Sequence, residues 1–169
     1  MDLNFSLDSA RVPLNLALAV VGGAVVGWNR QRKNHPAGFR TMMLVSLGSA
    51  AFVLTGAAVL THNIEGRNFS DPTRVIAGIV GGIGFLGAGT IIRAGREVKG
   101  VTTAAAIWVV AAIGASFGLS LYVLGATTVV LTALILWLSP VESAVFGGKS
   151  AAAPLSDPGA GRRDDDSLV

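Results

Sequence analysis

Apolar residues occur in long blocks along this chain, separated by short segments rich in Arg and Lys. Residues 75–92 carry no charge and lie between Arg74 and Arg93, which is typical of a membrane-spanning helix. The apolar run 101–138 is too long for one helix and predicts a turn at 118–120, with a single long tilted helix as the alternative. The pattern predicts five spanning helices, at residues 12–28, 41–60, 75–92, 102–117 and 121–138.

Composition supports the same fold class, an all-α bundle of about five transmembrane helices. Of the 169 residues, 51% are hydrophobic and only 14% are charged, whereas soluble domains carry about 25% charged residues. We expect a short extracytoplasmic N-terminus at residues 1–11, a transmembrane domain at 12–140 and a disordered cytoplasmic tail at 141–169. The tail is rich in Ala, Gly, Pro, Ser and Asp, a composition too polar to form a core. The N-terminus lacks the basic segment of a signal peptide.

The basic residues predict how the chain is oriented. Most of them lie in the first loop, the third loop and the tail, which share one side of the membrane if there are five helices. By the positive-inside rule this side is cytoplasmic, which places the N-terminus outside. Because these residues flank apolar blocks, they give no indication of nucleic-acid binding. The two loops contribute Arg30, Arg32, Lys33, Arg40, Arg93, Arg96 and Lys99.

Glycine is the commonest residue of the third block, with six in eighteen positions. On a helical wheel five of them fall on two faces, which predicts that this helix lies at the centre of the bundle. The motif Gly82–Gly87 fits G-x-G-x-x-G, but a mid-membrane helix is the wrong context for a dinucleotide site. Two further pairs have the Gly-x-x-x-Gly spacing of close helix packing. The candidate packing glycines are Gly23, Gly27, Gly78, Gly82, Gly84, Gly87, Gly89, Gly114 and Gly118.

Few residues of this chain are candidates for ligand binding or catalysis. Asp71 precedes Pro72 and is expected to cap the third helix, with a cation contact assisted by Glu65 as the alternative. Thr102 and Thr103 are expected to cap the fourth helix, with a ligand contact as the alternative. The two histidines are isolated, no catalytic set converges, and no cysteine is present. We therefore expect no enzyme, no cofactor and no metal centre.

Several motifs together resemble the MgtC/SapB family over about residues 12–140. The residues that match the family pattern and are expected to be functional are Arg30, Arg40, Asp71, Arg74 and Thr103. Asn29 replaces the Glu usual in the family, and Gly78 and Gly81 replace Gln and Ser. The motifs are Gly27-x-x-Arg30, Ala37-Gly-Phe-Arg-Thr41, Leu44-Val-x-Leu-Gly-Ser-Ala50, Asp71-Pro-x-Arg74, Gly82-Ile-Gly-Phe-Leu-Gly-Ala-Gly89 and Lys99-Gly-Val-Thr-Thr-Ala-Ala105.

The resemblance implies a multi-pass protein of the bacterial inner membrane linked to growth at low magnesium and, in some pathogens, to survival inside host cells. It implies action through partners, such as the membrane part of ATP synthase, more than through moving Mg²⁺. Self-association and lipid contacts are further expectations. The alternative is a small oligomeric channel or transporter for Mg²⁺ or another solute. The absence of charge within the five predicted cores argues against proton coupling but is compatible with a neutral pore. Many members carry a cytoplasmic C-terminal domain where this chain has the predicted tail.

Overall fold

The computed structural model describes residues 11–33, 35–61, 72–95 and 97–138. It confirms the predicted all-α membrane bundle of five helices. Residues 1–10 of the predicted N-terminal segment and the whole predicted tail lie outside the described residues, and the orientation in the membrane stays a prediction. The helices are α1 (Arg11–Arg32), α2 (Phe39–Thr61), α3 (Pro72–Ala88), α4 (Val101–Gly118) and α5 (Tyr122–Trp137).

The long apolar run folds back at the predicted place, between α4 and α5. Ser120 has a φ of 60°, and its N–H bonds to the carbonyl of Phe117 at 2.9 Å. Its hydroxyl accepts a 3.0 Å hydrogen bond from the amide of Asn15, whose carbonyl oxygen accepts a 2.9 Å bond from the Tyr122 hydroxyl. This buried amide therefore ties the start of α1 to the α4–α5 turn.

Helix α4 lies at the centre of the bundle and packs against all four other helices. Its buried residues cover most of its circumference, while Val101, Ala105, Trp108 and Ala112 form a narrow exposed stripe. The prediction that the third block is central was wrong, because α3 packs mainly against α2 and α4 and is exposed at most positions. A small-residue face shows where a neighbour can approach, but the sequence does not show which neighbour fills it.

Two Gly-x-x-x-Gly pairs bring α1 and α4 close to the backbone of α2. A Cβ on Gly23 would lie 2.6 Å from the Met42 carbonyl oxygen, and one on Gly27 would lie 2.8 Å from the Phe39 Cα. On the α4 side, a Cβ on Gly114 would overlap the carbonyl oxygen of Ser46, and one on Gly118 would lie 2.9 Å from that of Ala50. These contacts leave no room for side chains at the four glycines.

A short hairpin connects α3 to α4, formed by β1 (Ile92–Ala94) and β2 (Glu97–Lys99). The prediction that the third helix extends to Ile92 was wrong, because α3 ends at Ala88. The Thr90 hydroxyl bonds to the carbonyl of Gly87 at 2.8 Å and thereby competes with helix continuation. The strands pair antiparallel, with Arg93 opposite Val98.

Three of the five helices, α1, α2 and α4, are long and apolar enough to cross a membrane. The other two are shorter apolar helices of the same bundle. With 16 residues, α5 extends about 24 Å, less than the hydrocarbon thickness of about 30 Å. Local thinning of the bilayer accommodates such a difference at modest energetic cost.

Candidate functional site

A buried arginine joins the last turn of α1 to the first turn of α4. Arg30 is only 2% exposed, and its Nη2 donates a hydrogen bond to the hydroxyl oxygen of Thr103, which is 1% exposed. The Nε–H of the same guanidinium has no partner among the described residues. The structure thus brings together two of the residues singled out in the sequence, although they lie far apart along the chain.

The first turn of α4 is uncapped, so the expectation that threonine hydroxyls cap it was wrong. The residue before the helix is Gly100, with a φ of 91° and no side-chain capping bond. The first backbone bond of the turn runs from the Ala104 N–H to the Gly100 carbonyl at 2.9 Å. Thr103 cannot cap in this arrangement, because it lies inside the helix and its hydroxyl accepts from Arg30. Glycine is required at position 100, since a Cβ there would overlap the carbonyl oxygen of Thr90.

Positive charge surrounds this pair. Lys33 donates from its Nζ to the Leu136 carbonyl at 3.3 Å, which places its charge at the C-terminal end of α5. His35 donates its backbone N–H to the Arg30 carbonyl at 3.2 Å. We call Arg30, Lys33 and His35 the basic cluster. Within the described ranges no carboxylate pairs with the Arg30 guanidinium, and the ion pair between Lys99 and Glu97 is exposed.

The imidazole of His35 reports the positive potential of the cluster. Its pKa lies below the ordinary value of 6.5, because burial disfavours the charged ring and the charges of Arg30 and Lys33 repel a proton. His35 is therefore more easily protonated in the unfolded chain than in the folded protein.

We expect the folded protein to lose stability as the pH falls below about 6.5, because the unfolded chain then binds a proton at His35 that the folded state resists. The measurement is the unfolding midpoint in detergent between neutral and mildly acidic pH. His35→Gln should flatten this dependence. Equal slopes for wild type and His35→Gln would contradict the assignment.

The other candidate residues do not join the basic cluster. Arg40 lies exposed on the first turn of α2, and Arg74 lies exposed on the first turn of α3. These two arginines are at opposite ends of the bundle, because α2 and α3 are consecutive and antiparallel. Asp71 lies outside the described residues.

A second feature is an apolar groove between α2 and α3, which we call the α2–α3 groove. Its volume is about 660 Å³, and its α2 wall from Leu44 to Thr55 extends about 16 Å. Gly78 and Gly82 form part of its α3 wall, and nothing lies within 4 Å of where a Cβ would stand on either. Gly81 and Gly84 are equally open but do not line the groove. Gly87 contacts Ala104 of α4 at ordinary distance, and Gly89 lies against carbonyls of its own helix end.

A serine hydroxyl lies in the groove wall. Ser49 is 3% exposed and lines the groove, with no hydrogen-bond partner in the described part of the chain. The hydroxyls of Ser116, Thr128 and Thr132 each donate to the carbonyl four residues earlier, at 2.7–2.8 Å. That of Ser46, fully buried and outside the groove, also lacks a partner within the described ranges. The Ser49 hydroxyl therefore remains available to an external hydrogen-bond partner.

Sequence reasoning recognised Arg30 and Thr103 only as separate motif positions and did not predict the groove that Ser49 lines. The pairing of Arg30 with Thr103 depends on how α1 crosses α4, for which the sequence contains no direct signal. For Ser49 the sequence did contain a signal, because Ser49 is a polar residue within the apolar second block. It lies one helical turn after Val45, which lines the same groove.

Comparison with known proteins gives a match of residues 16–143 to the MgtC family. The chain is 42% identical over 130 residues to Protein SrpB of Synechococcus elongatus, covering 70% of this chain and 69% of SrpB. It is 39% identical over 132 residues to Putative magnesium transporter YhiD of Escherichia coli K12, covering 76% of this chain and 60% of YhiD. It is 42% identical over 125 residues to Protein MgtC of Salmonella typhimurium, covering 73% of this chain and 51% of MgtC. The chain thus spans only part of the length of these relatives. No solved structure matches it.

Proposed function

The chain belongs to the MgtC family, and from this premise we propose that it is a non-enzymatic, multi-pass regulator of the bacterial inner membrane. It supports growth at low magnesium by docking a transmembrane helix of another membrane protein in the α2–α3 groove. The link to magnesium is supported by the name of one relative, a putative magnesium transporter. The docking role is supported chiefly by one observation, the open and glycine-walled groove.

The glycines of the groove suit a helix as its occupant. Helices associate in lipid where small residues let their backbones approach closely. Gly78 and Gly82 lie one turn apart on α3, and both face open space in the single chain. In α1 and α4 the same spacing is already used for contact with α2. The α3 pair is therefore free to receive a further helix.

The Ser49 hydroxyl distinguishes a helix from a lipid chain. A lipid tail filling the groove would leave this hydroxyl without a hydrogen bond in an apolar environment, which is costly. A helix can satisfy the hydroxyl with a side chain or a backbone carbonyl. We therefore assign the groove to a helix that carries small residues and a hydrogen-bonding group at the contact.

We expect Gly82→Leu to remove most growth at limiting magnesium and to leave growth at replete magnesium unchanged, because the new side chain fills the groove. The measurement is complementation of a deletion strain in both media. Gly84→Leu is the matched control, since it introduces the same side chain on the same helix outside the groove. Equal complementation by the two variants would overturn the docking assignment.

A cysteine scan distinguishes a different partner from a second copy of this chain. The chain has no cysteine, so Gly82→Cys introduces its sole thiol. A disulfide-linked homodimer in oxidised membranes, absent with Gly84→Cys, would assign the groove to a second copy and contradict docking of a different protein. Only monomer in both variants is the result expected for a different partner.

The relative named as a putative magnesium transporter also supports a second candidate, an oligomeric channel or transporter. Among the described residues, no group of three or more His, Asp or Glu side chains converges. A pore would therefore depend on hydroxyls and backbone carbonyls. Magnesium flux into proteoliposomes that contain the purified protein is the discriminating measurement, and saturable flux would favour transport over docking.

A further inference from the structure

The first turn of α4 presents unsatisfied hydrogen-bond donors at its surface. An α-helix leaves its first N–H groups without intrahelical acceptors, and these are normally satisfied by caps, water or ligands. Here no side chain caps them, and the first backbone bond is that of Ala104. The side chains of Val101 and Thr102 are exposed. A ligand can therefore approach the free N–H groups of this turn from outside the bundle.

The Arg30 guanidinium lies directly beside this turn. It contacts Thr103, the third residue of α4, and it is 98% buried without a carboxylate partner among the described residues. A buried charge without a counter-charge is costly, because burial removes the hydration that stabilises it in water. Its Nε–H also lacks an acceptor within the described ranges. The guanidinium and the helix end thus favour the same kind of ligand, an anion.

We propose that the first turn of α4, with Arg30 behind it, binds the phosphate group of an anionic ligand. Backbone N–H groups at a helix start are donors that proteins use for phosphate, and the buried charge of Arg30 behind them favours an anion electrostatically. Lys99, exposed at the end of β2 one residue before Gly100, is paired with the Glu97 carboxylate at 3.2 Å, so the positive charge beside this turn is that of Arg30. This inference is independent of the docking role, since the α2–α3 groove shares none of these residues.

Two sources can supply the same group, a phospholipid headgroup or a free phosphate ion. The site lies at the end of a helix that is long enough to cross the membrane, where headgroups are dense. Two arms of one experiment separate these sources. Purified protein in neutral detergent is titrated with inorganic phosphate against chloride at equal ionic strength. In parallel it is titrated with phosphatidylglycerol against phosphatidylcholine.

The readout is the melting temperature. We expect a saturable upward shift of a few degrees in one arm, because a ligand that binds only the folded state stabilises it. A shift with phosphate identifies a free ion, and a shift with phosphatidylglycerol alone identifies a headgroup. A shift in neither arm overturns the proposal.

Thr102→Glu tests the site without removing Arg30. A carboxylate in the first turn is favourable for the helix and should occupy the place of the phosphate. We expect this variant to lose the ligand-dependent shift, while Thr102→Gln keeps it. Arg30→Gln should lose the shift as well, and Arg74→Gln, which removes the same charge at the other end of the bundle, should keep it. A shift that persists in both Thr102→Glu and Arg30→Gln would place the ligand elsewhere and overturn the assignment.

Discussion

Gly114→Ala is expected to destabilise the bundle by about 3 kcal/mol, although it adds one methyl group. A Cβ at this position would overlap the carbonyl oxygen of Ser46, and the Cα of Ser46 would lie only 2.9 Å away. Both are backbone atoms of α2, so no side-chain rotation can relieve the contact. The helices α2 and α4 must move apart, and that movement disturbs the centre of the core.

The measurement is the unfolding midpoint of the purified protein in a mixture of neutral and denaturing detergents. Gly82→Ala is the matched control, because it adds the same methyl group where nothing lies within 4 Å. We expect its midpoint to equal or exceed that of wild type, since alanine forms helix better than glycine. Similar midpoints for the two variants would show that the close α2–α4 contact does not exist in the membrane protein.

Thr103→Val is expected to destabilise the protein by about 1.5–3 kcal/mol, the range typical of hydrogen bonds to charged groups. The substitution preserves the shape of the side chain and removes the hydroxyl that accepts from Arg30. Both residues are almost fully buried, so water cannot readily replace the lost acceptor. The guanidinium is then left as a buried charge without its hydrogen bond.

A double-mutant cycle separates this effect from a change in packing. Arg30→Met removes the buried charge, so Thr103→Val should cost much less in that background than in wild type. Thr102→Val, at the exposed neighbouring position, is the control and should change little. Additive losses in the double variant would show that Arg30 and Thr103 are not coupled. The cycle is measured in chloride buffer, so that a bound phosphate does not mask the loss.

The two candidate surfaces suit two different ligands within one small bundle. The α2–α3 groove lies along the apolar middle of the helices and suits a partner helix. The uncapped start of α4 and the basic cluster lie at one end of the same helices and suit an anion. The residues that line the groove all belong to α2 and α3, so the two sites share no residue and each can be tested by its own substitutions.

The sequence by itself determined the number, order and approximate bounds of the helices. Long uncharged blocks can satisfy their backbone hydrogen bonds in lipid only as helices. The helix bounds therefore follow from where the uncharged blocks begin and end, and the turn at Ser120 follows from the length of the last block. It also identified the family, through motifs that stay in register over most of the chain. The hairpin before α4 was missed, because the adjacent Ile91 and Ile92 read equally well as the end of an apolar helix.

Only the tertiary structure decided which helix is central and what each glycine contacts. All five helices are apolar on most faces, so their patterns do not show which face meets another helix and which meets lipid. The same spacing therefore packs tightly at Gly114 and Gly118 but remains open at Gly78 and Gly82. The pairing of Arg30 with Thr103 likewise depends on the crossing of α1 and α4. Such contacts arise from the three-dimensional fit of several helices at once, which no single segment of sequence specifies.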